Sequence, residues 1–247
     1  ILYSLTISAK NEAHLKKIMC DCNLHEQELS NIKSTNKNKQ KASQDFLFLD
    51  EQIGSDEVGT GDFFGPITVA ASLVKKIQIK RLKELGIMDS KKLTDERIIA
   101  IGKIVIKEFK YSLLVLDNKK YNQLVANGFN MNKIKCYLHN CALRNLHHRF
   151  PKVNNIYVDQ FVDEKKYYEH LKEEKNVLHG IYFHTKGESY FPSVALASVI
   201  ARYSFLKQMD MVAKKYNLTK IPFGAGVAVD RFAKFFKEKY GQKELDK

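Results

Sequence analysis

Two adjacent carboxylates, Asp56 and Glu57, close an apolar stretch and run at once into Val58-Gly59-Thr60-Gly61. Glycines there let the backbone approach a ligand, and strand ends beside such turns are where a sheet presents chemistry. These residues alone leave open an ordinary surface strand. Asp159 closes a second apolar run, Ile156-Tyr157-Val158, where a turn-forming aspartate is the alternative and, for that residue by itself, the stronger one. Glu188 lies in His184-Thr185-Lys186-Gly187-Glu188-Ser189, ahead of a long apolar segment, where an acid also serves to balance a helix dipole. Together the four put carboxylates on neighbouring elements. Hard divalent ions such as magnesium take oxygen ligands and keep several waters. Two ions about 4 Å apart activate a water on one side of a phosphodiester and stabilise the leaving oxygen on the other. Such a cluster suits phosphate processing.

The charge of the chain agrees with that chemistry. The 247 residues carry a formal charge of +13, and residues 1–50 are close to balanced, so the surplus belongs to the rest. A polyanion is the natural partner, because each phosphate neutralised by Lys or Arg releases condensed counterions. A solvated lysine-rich surface would carry the same charge without a ligand, so charge supports the reading and does not make it. Hydrophobic residues at 44% and charged residues at 28% exclude wholesale disorder. No run of eighteen apolar residues and no secretory signal is seen, so a cytoplasmic chain without a membrane span is expected. Cys20 and Cys22, and Cys136 and Cys141, match neither a zinc knuckle nor a redox pair, and free thiols are expected. No heptads call for a coiled-coil dimer, and a monomer is expected.

These residues need elements to hold them. Residues 2–9 read as a strand and 11–20 as a short helix capped by Asn11; residues 30–45 are polar and aperiodic, in the manner of a linker. A boundary near residue 45 follows, with residues 1–45 a reduced or partial segment and 46–247 the main domain. From Phe46 the pattern becomes regular. Strands are expected over FLFLDEQIGSD, GPITVAASLV, 111–116, 153–160 and 178–184. Helices are expected over 89–109, 119–126, 130–148 and 163–174, from Pro192 through SVALASVIARYSFLKQM, and over about 229–240, with Pro192 near a helix start where proline is tolerated. Strands first, then strands alternating with helices, predict an α/β fold with a mixed sheet and helices packed on it.

Five segments in order, GSDEVGTGDFFGPITVAAS, MDSKKLTDERI, NMNKIKCYLHN, YVDQF and KGESYFPSVALASVIARYSFL, closely resemble the type 2 ribonucleases H, and within them the bacterial ribonuclease HIII group. The resemblance spans roughly residues 50–240. It implies a ribonuclease H-like sheet, cleavage of the RNA strand of RNA/DNA hybrids leaving 3′-hydroxyl and 5′-phosphate ends, and a two-ion site for Mg2+ or Mn2+. Residue by residue, it puts the metal-binding, catalytic acids at Asp56, Glu57, Asp159 and Glu188. Glutamate at 188 and the turn Gly59-Thr60-Gly61 both look like ribonuclease HIII rather than ribonuclease HII.

The resemblance also assigns substrate contacts to Gly59, Thr60, Gly61, Lys91, Lys92, Asn130, Asn132, Lys133, Lys186 and Ser189, through phosphates or the 2′-hydroxyls that mark RNA. Ser90 has a second reading as a helix cap. His184 is a proton-shuttle candidate whose ordinary alternative, a packed strand-end histidine, is the stronger. Val227 and Ala228 stand where relatives are more polar or basic, which puts a contact there in doubt. Ribonuclease HIII proteins usually carry a folded N-terminal domain, of which residues 1–45 offer only a strand, a helix and a linker. Two other readings compete: ribonuclease HII-like incision at single ribonucleotides in duplex DNA, and a nucleic-acid-binding module without catalysis.

Overall fold

A computed structural model describes residues 51–245; the readings for residues 1–50, including the boundary near 45, lie outside the described residues. Five strands form one mixed sheet: β1 (Glu51–Val58), β2 (Ile67–Lys75), β3 (Lys110–Leu116), β4 (Ile156–Asp159) and β5 (Ile181–His184), in the order β3-β2-β1-β4-β5. The first three strands pair antiparallel, while β1-β4 and β4-β5 are parallel. The helices are α1 (Ile79–Leu85), α2 (Asp95–Glu108), α3 (Asn118–Ala126), α4 (Met131–Arg149), α5 (Glu164–His170), α6 (Pro192–Lys215), α7 (Val227–Tyr240) and α8 (Gln242–Leu245). The expected mixed sheet with helices on it is what is observed.

Side chains alternate across a strand, and on β1 that alternation sorts two cores. Ile53 joins Leu143 and Leu146 of α4 on one face, whereas β2 residues such as Ala70 and Val74 join Leu196 and Ile200 of α6 on the other. Gly54 looks toward α6, and a Cβ there would stand 2.5 Å from both Ser193 Oγ and the Val194 nitrogen. Only glycine allows α6 to lie so close on β1. Buried hydrogen bonds fasten the same contact. The Ser193 hydroxyl donates to Gln52 Oε1 at 2.8 Å, Ser72 Oγ donates to the Ser193 carbonyl at 2.6 Å, and Thr68 Oγ1 donates to the Ala201 carbonyl at 3.0 Å. Each contributes about 1 kcal/mol net, and losing one partner costs more because the other is left buried without a bond.

The sequence-based elements differ from the structure in several places. The expected continuous helix over 89–109 is broken: Ile87–Lys92 is a 3-10 turn, and α2 starts only after Thr94. Thr94 is extended and its hydroxyl accepts from the Arg97 amide at 3.3 Å, while Arg202 of α6 takes the Leu93 carbonyl at 3.0 Å and the Asp95 carboxylate at 2.7 Å. The helix cap is therefore Thr94, and Ser90 sits inside the turn, its carbonyl accepting from the Leu93 amide. Helix α1, with Ile79, Leu82 and Leu85 buried, and the short α8 were not foreseen, and the expected strand over 153–160 is only β4. The expected strand over 178–184 shortens to β5 and the expected helix over 163–174 to α5. Helix α6 begins at Pro192 as expected. Among the described residues, no helix is long and apolar enough to cross a membrane.

Candidate active site

Asp56 and Glu57, neighbours in the chain, leave β1 on opposite faces. Asp56 points to the α6 side, where the Ser198 hydroxyl lowers its carboxyl pKa, and Glu57 points to the α4 side, where Lys135 and His139 meet it. Beside them in the sheet runs parallel β4, with Ser55 paired to Val158, so Asp56 and Asp159 end adjacent strands side by side. Ligand sites in sheets of this kind lie outside the carboxyl ends of parallel strands. Glu188 comes from a 3-10 turn, Gly187–Ser189, that follows β5. Asp159 holds that turn, since its Oδ1 accepts from the Gly187 amide at 2.8 Å.

Charges at the site are unevenly compensated. Burial, then the charges of Glu57 and Asp159, push the Asp56 carboxyl well above the ordinary carboxylate range, against the Glu57 amide and Ser198. Burial also raises Asp159, and Glu188 and Glu57 raise it further, against the Gly187 amide and Lys91. Glu57 goes the other way: burial would raise it, but the hydrogen bond and charge of His139 and the ammonium of Lys135 hold it at about 2. Glu188 is 5% exposed, and neither of its oxygens accepts a hydrogen bond of ordinary geometry, although Lys91 Nζ makes an ion pair with Oε1. The Lys91 ammonium is raised by Glu188 first and also by Asp159 and Asp56, so one cation serves three acids.

Among the described residues, no three His, Cys, Asp or Glu side chains converge as a closed cation cage. Glu57 is turned to Lys135 and His139, and Glu188 to Lys91. The donor set nonetheless suits a hard divalent ion: four carboxylates, two of them raised by burial and by neighbouring acids and one with buried oxygens free of hydrogen bonds.

The remaining candidates divide. Lys91 reaches the acids, and Lys92 follows it exposed in the same turn. Lys186 is exposed with φ 58°, and Ser189, half-buried, donates its amide to the Lys186 carbonyl at 2.9 Å; both flank Glu188. Gly59 has φ 99°, and a Cβ there would lie 2.1 Å from the Pro66 carbonyl oxygen, so the turn needs glycine; Gly61 faces open space. Gly59, Thr60 and Gly61 line one wall of a cavity of about 490 Å³ shared with Asn118, Tyr121 and Ala225. Asp62 secures that wall, accepting from the Gly65 and Gly224 amides at 2.6 Å each. Asn130 caps α4 by accepting from the Lys133 amide at 2.8 Å. Lys133 lies over the Phe129 ring at 4.3 Å and within 3.8 Å of Glu173, about 200° around the helix from Lys135, so it is not brought to the acids. Asn132, exposed, continues the stripe of Lys135 and His139 outward. His184 donates Nδ1–H to the Thr185 carbonyl at 2.8 Å and packs on Tyr190, its ring 4.5 Å away, which is the packed alternative.

Sequence reasoning passed over Lys135 and His139. The signal was present: they are four apart on the same helix, on the stripe that also carries the core residues Leu143 and Leu146, where a polar residue needs a buried partner.

The sequence profile of the family described as ribonuclease HII matches residues 53–247. The chain belongs to that family. Within it, the chain is 48% identical over 196 residues to ribonuclease HIII of Bacillus cereus (strain ATCC 10987) and 47% to that of Bacillus anthracis (strain A0248), covering 78% of this chain and 63% of each relative's length. The solved structure of Bst-RNase HIII in complex with Mn2+ matches with a TM-score of 0.78 at 35% identity, covering 90% of this chain and 75% of that one. Aquifex aeolicus RNase H3 shares the fold at a TM-score of 0.63 and 21% identity. The mixed five-stranded sheet flanked by helices is thus the ribonuclease H-like fold of this family.

Proposed function

We propose that the chain is an endonuclease that hydrolyses the RNA strand of RNA/DNA hybrids, leaving 3′-hydroxyl and 5′-phosphate ends, with Asp56, Glu57, Asp159 and Glu188 holding two Mg2+ or Mn2+ ions. The observation that carries the reading is the placement of Asp56 and Asp159 on the adjacent strands β1 and β4, with Glu188 on the turn that Asp159 holds, inside a strongly basic chain. The 48% identity to a ribonuclease HIII, and the Mn2+ complex of a homologue, support it from outside.

Bound divalent ions would supply the activation of water and the stabilisation of the leaving oxygen. The residues of the chain do the rest. Asp56 and Asp159, both raised by burial and then by neighbouring carboxylates, offer the strongest attraction for a cation; Glu57 and Glu188 extend the donor set from either side. Lys91, exposed and paired with Glu188, is placed to exchange that carboxylate for a substrate phosphate. The Gly59-Thr60-Gly61 turn brings backbone close to the substrate strand, where 2′-hydroxyl contacts distinguish RNA from DNA.

The test is cleavage, in Mg2+ or Mn2+, of a continuous RNA/DNA hybrid beside a DNA duplex with one embedded ribonucleotide. Preferred cutting of the hybrid, with 5′-phosphate products, is expected. Efficient incision at the single ribonucleotide would overturn the substrate assignment, and the absence of cutting on both would overturn the activity.

A further inference from the structure

His139 lies at the buried centre of a polar relay that leads to one of the four acids. Its ring is fully inaccessible; Nδ1 is 2.8 Å from Ser55 Oγ, and Nε2 is 2.9 Å from Glu57 Oε2. Ser55 and Glu57 are two apart on β1, on the face turned to α4, so strand and helix periods together set this contact. We infer that His139, with its ring set by Ser55, is a positioning residue that fixes the orientation in which Glu57 meets a divalent cation. The inference rests on the reading of Glu57 as a cation ligand given above.

The roles of the three groups follow from their hydrogen-bonding capacities. A carboxylate accepts only, whereas a hydroxyl donates or accepts. Glu57 can only accept, so Nε2 carries a proton that faces it, and the Ser55 hydroxyl, which donates or accepts, pairs with Nδ1. Imidazole then donates to Oε2 and holds that oxygen in place. Ser55 is 0% exposed inside the sheet, so the serine, histidine and acid here do not form a nucleophilic relay toward substrate. The second oxygen, Oε1, meets Lys135, whose ammonium lies 4.0 Å from the centre of the Phe161 ring; that ring in turn lies 5.1 Å from His139. A lysine on a flexible stem ordinarily reaches for water; this one is kept inside by the aromatic ring. Both Glu57 oxygens are thus held from α4, each with a lone pair left for a cation, and rotation of the carboxylate would break a buried bond. Partners of this kind, bonded to a ligand rather than to the metal, typically change metal affinity or activity by about 10–100-fold when removed.

His139 suits a test better than Lys135, because replacing the lysine also deletes a charge beside the site. The experiment is calorimetric titration of the substrate-free protein with MnCl2, comparing wild type with His139→Leu, His139→Gln, Ser55→Ala and Asp56→Asn, alongside thermal melting of each metal-free protein. His139→Leu is expected to weaken Mn2+ binding by about 10–100-fold. His139→Gln, whose amide can donate to Glu57, is expected to recover most of the affinity, and Ser55→Ala to lose a smaller part. Wild-type affinity in His139→Leu, or equal losses in the Leu and Gln variants, would overturn the inference. If His139→Leu fails to melt cooperatively, Ser55→Ala decides: weakened Mn2+ binding supports the inference, and wild-type affinity overturns it. Asp56→Asn separates the two levels. If it loses Mn2+ while His139→Leu keeps it, only the positioning role fails; if Asp56→Asn itself binds like wild type, the cation site fails with it.

Discussion

The Gly187 amide donates to Asp159 Oδ1 at 2.8 Å, so the acid that ends β4 also holds the turn that presents Glu188. Asp159 has two duties, one of charge and one of geometry, and two substitutions separate them. Asp159→Asn keeps an oxygen acceptor for the Gly187 amide and removes the charge; Asp159→Ala removes both. Hydrogen exchange at residues 187–189 should stay near wild type in the asparagine variant and quicken in the alanine variant, while both lose cleavage. Equal exchange in the two variants would deny Asp159 its hold on the turn.

Asp56 should trade stability for function. Its carboxyl is raised by burial and by Glu57 and Asp159, so the folded protein binds the proton more tightly than the unfolded chain does. Stability from that proton is present at low pH and lost as pH rises through the raised value, which leaves a penalty at neutral pH in the metal-free protein. Asp56→Asn carries no such penalty. Its metal-free melting temperature should exceed that of wild type at pH 7, where each kcal/mol is worth about 2–4 °C at this size. The gap should narrow toward pH 4. A gap that does not depend on pH would show that the carboxylate is not strained.

Two glycines of one turn should respond differently. Gly59→Ala must place a Cβ against the Pro66 carbonyl at φ 99°, at a cost of about 1–3 kcal/mol. Gly61→Ala meets nothing within 4 Å and should melt like wild type. A loss of hybrid cleavage in Gly61→Ala with unchanged melting would locate the backbone contact with substrate. Unchanged melting in Gly59→Ala would contradict the geometry of the turn.

Hybrid binding should weaken steeply with salt. If the basic surplus grips phosphates, affinity measured by anisotropy falls by roughly 10³-fold or more between 50 and 200 mM salt for six or more phosphate contacts. A flat response would place the grip elsewhere.

Much of the candidate site was legible in the sequence: its acids sit where local patterns end, and the resemblance to the type 2 ribonucleases H joined them into one set. Asp56, Asp159 and Glu188 each follow or precede an apolar run, and period-2 and helical periodicity marked those runs. What the pattern could not carry was facing across the sheet: adjacent Asp56 and Glu57 read as a pair, yet the strand turns them to opposite helices. The partners of Glu57 come from residues 135 and 139, and their pairing is a tertiary fact. The break at Thr94 was hidden for a similar reason, since an arginine more than a hundred residues away, Arg202, takes the carbonyl that a continuous helix would use. Asn130, assigned to substrate by the resemblance, also caps α4 through its Oδ1, a local role that its place before the helix allows.

The central claim is that the carboxylates serve catalysis while the basic surface serves binding. Asp56→Asn, assayed for cleavage and for affinity on the same RNA/DNA hybrid with Mg2+ or Mn2+ present, tests it most directly. Cleavage should fall to background while the dissociation constant stays within a few-fold of wild type; cutting at the wild-type rate would contradict the account.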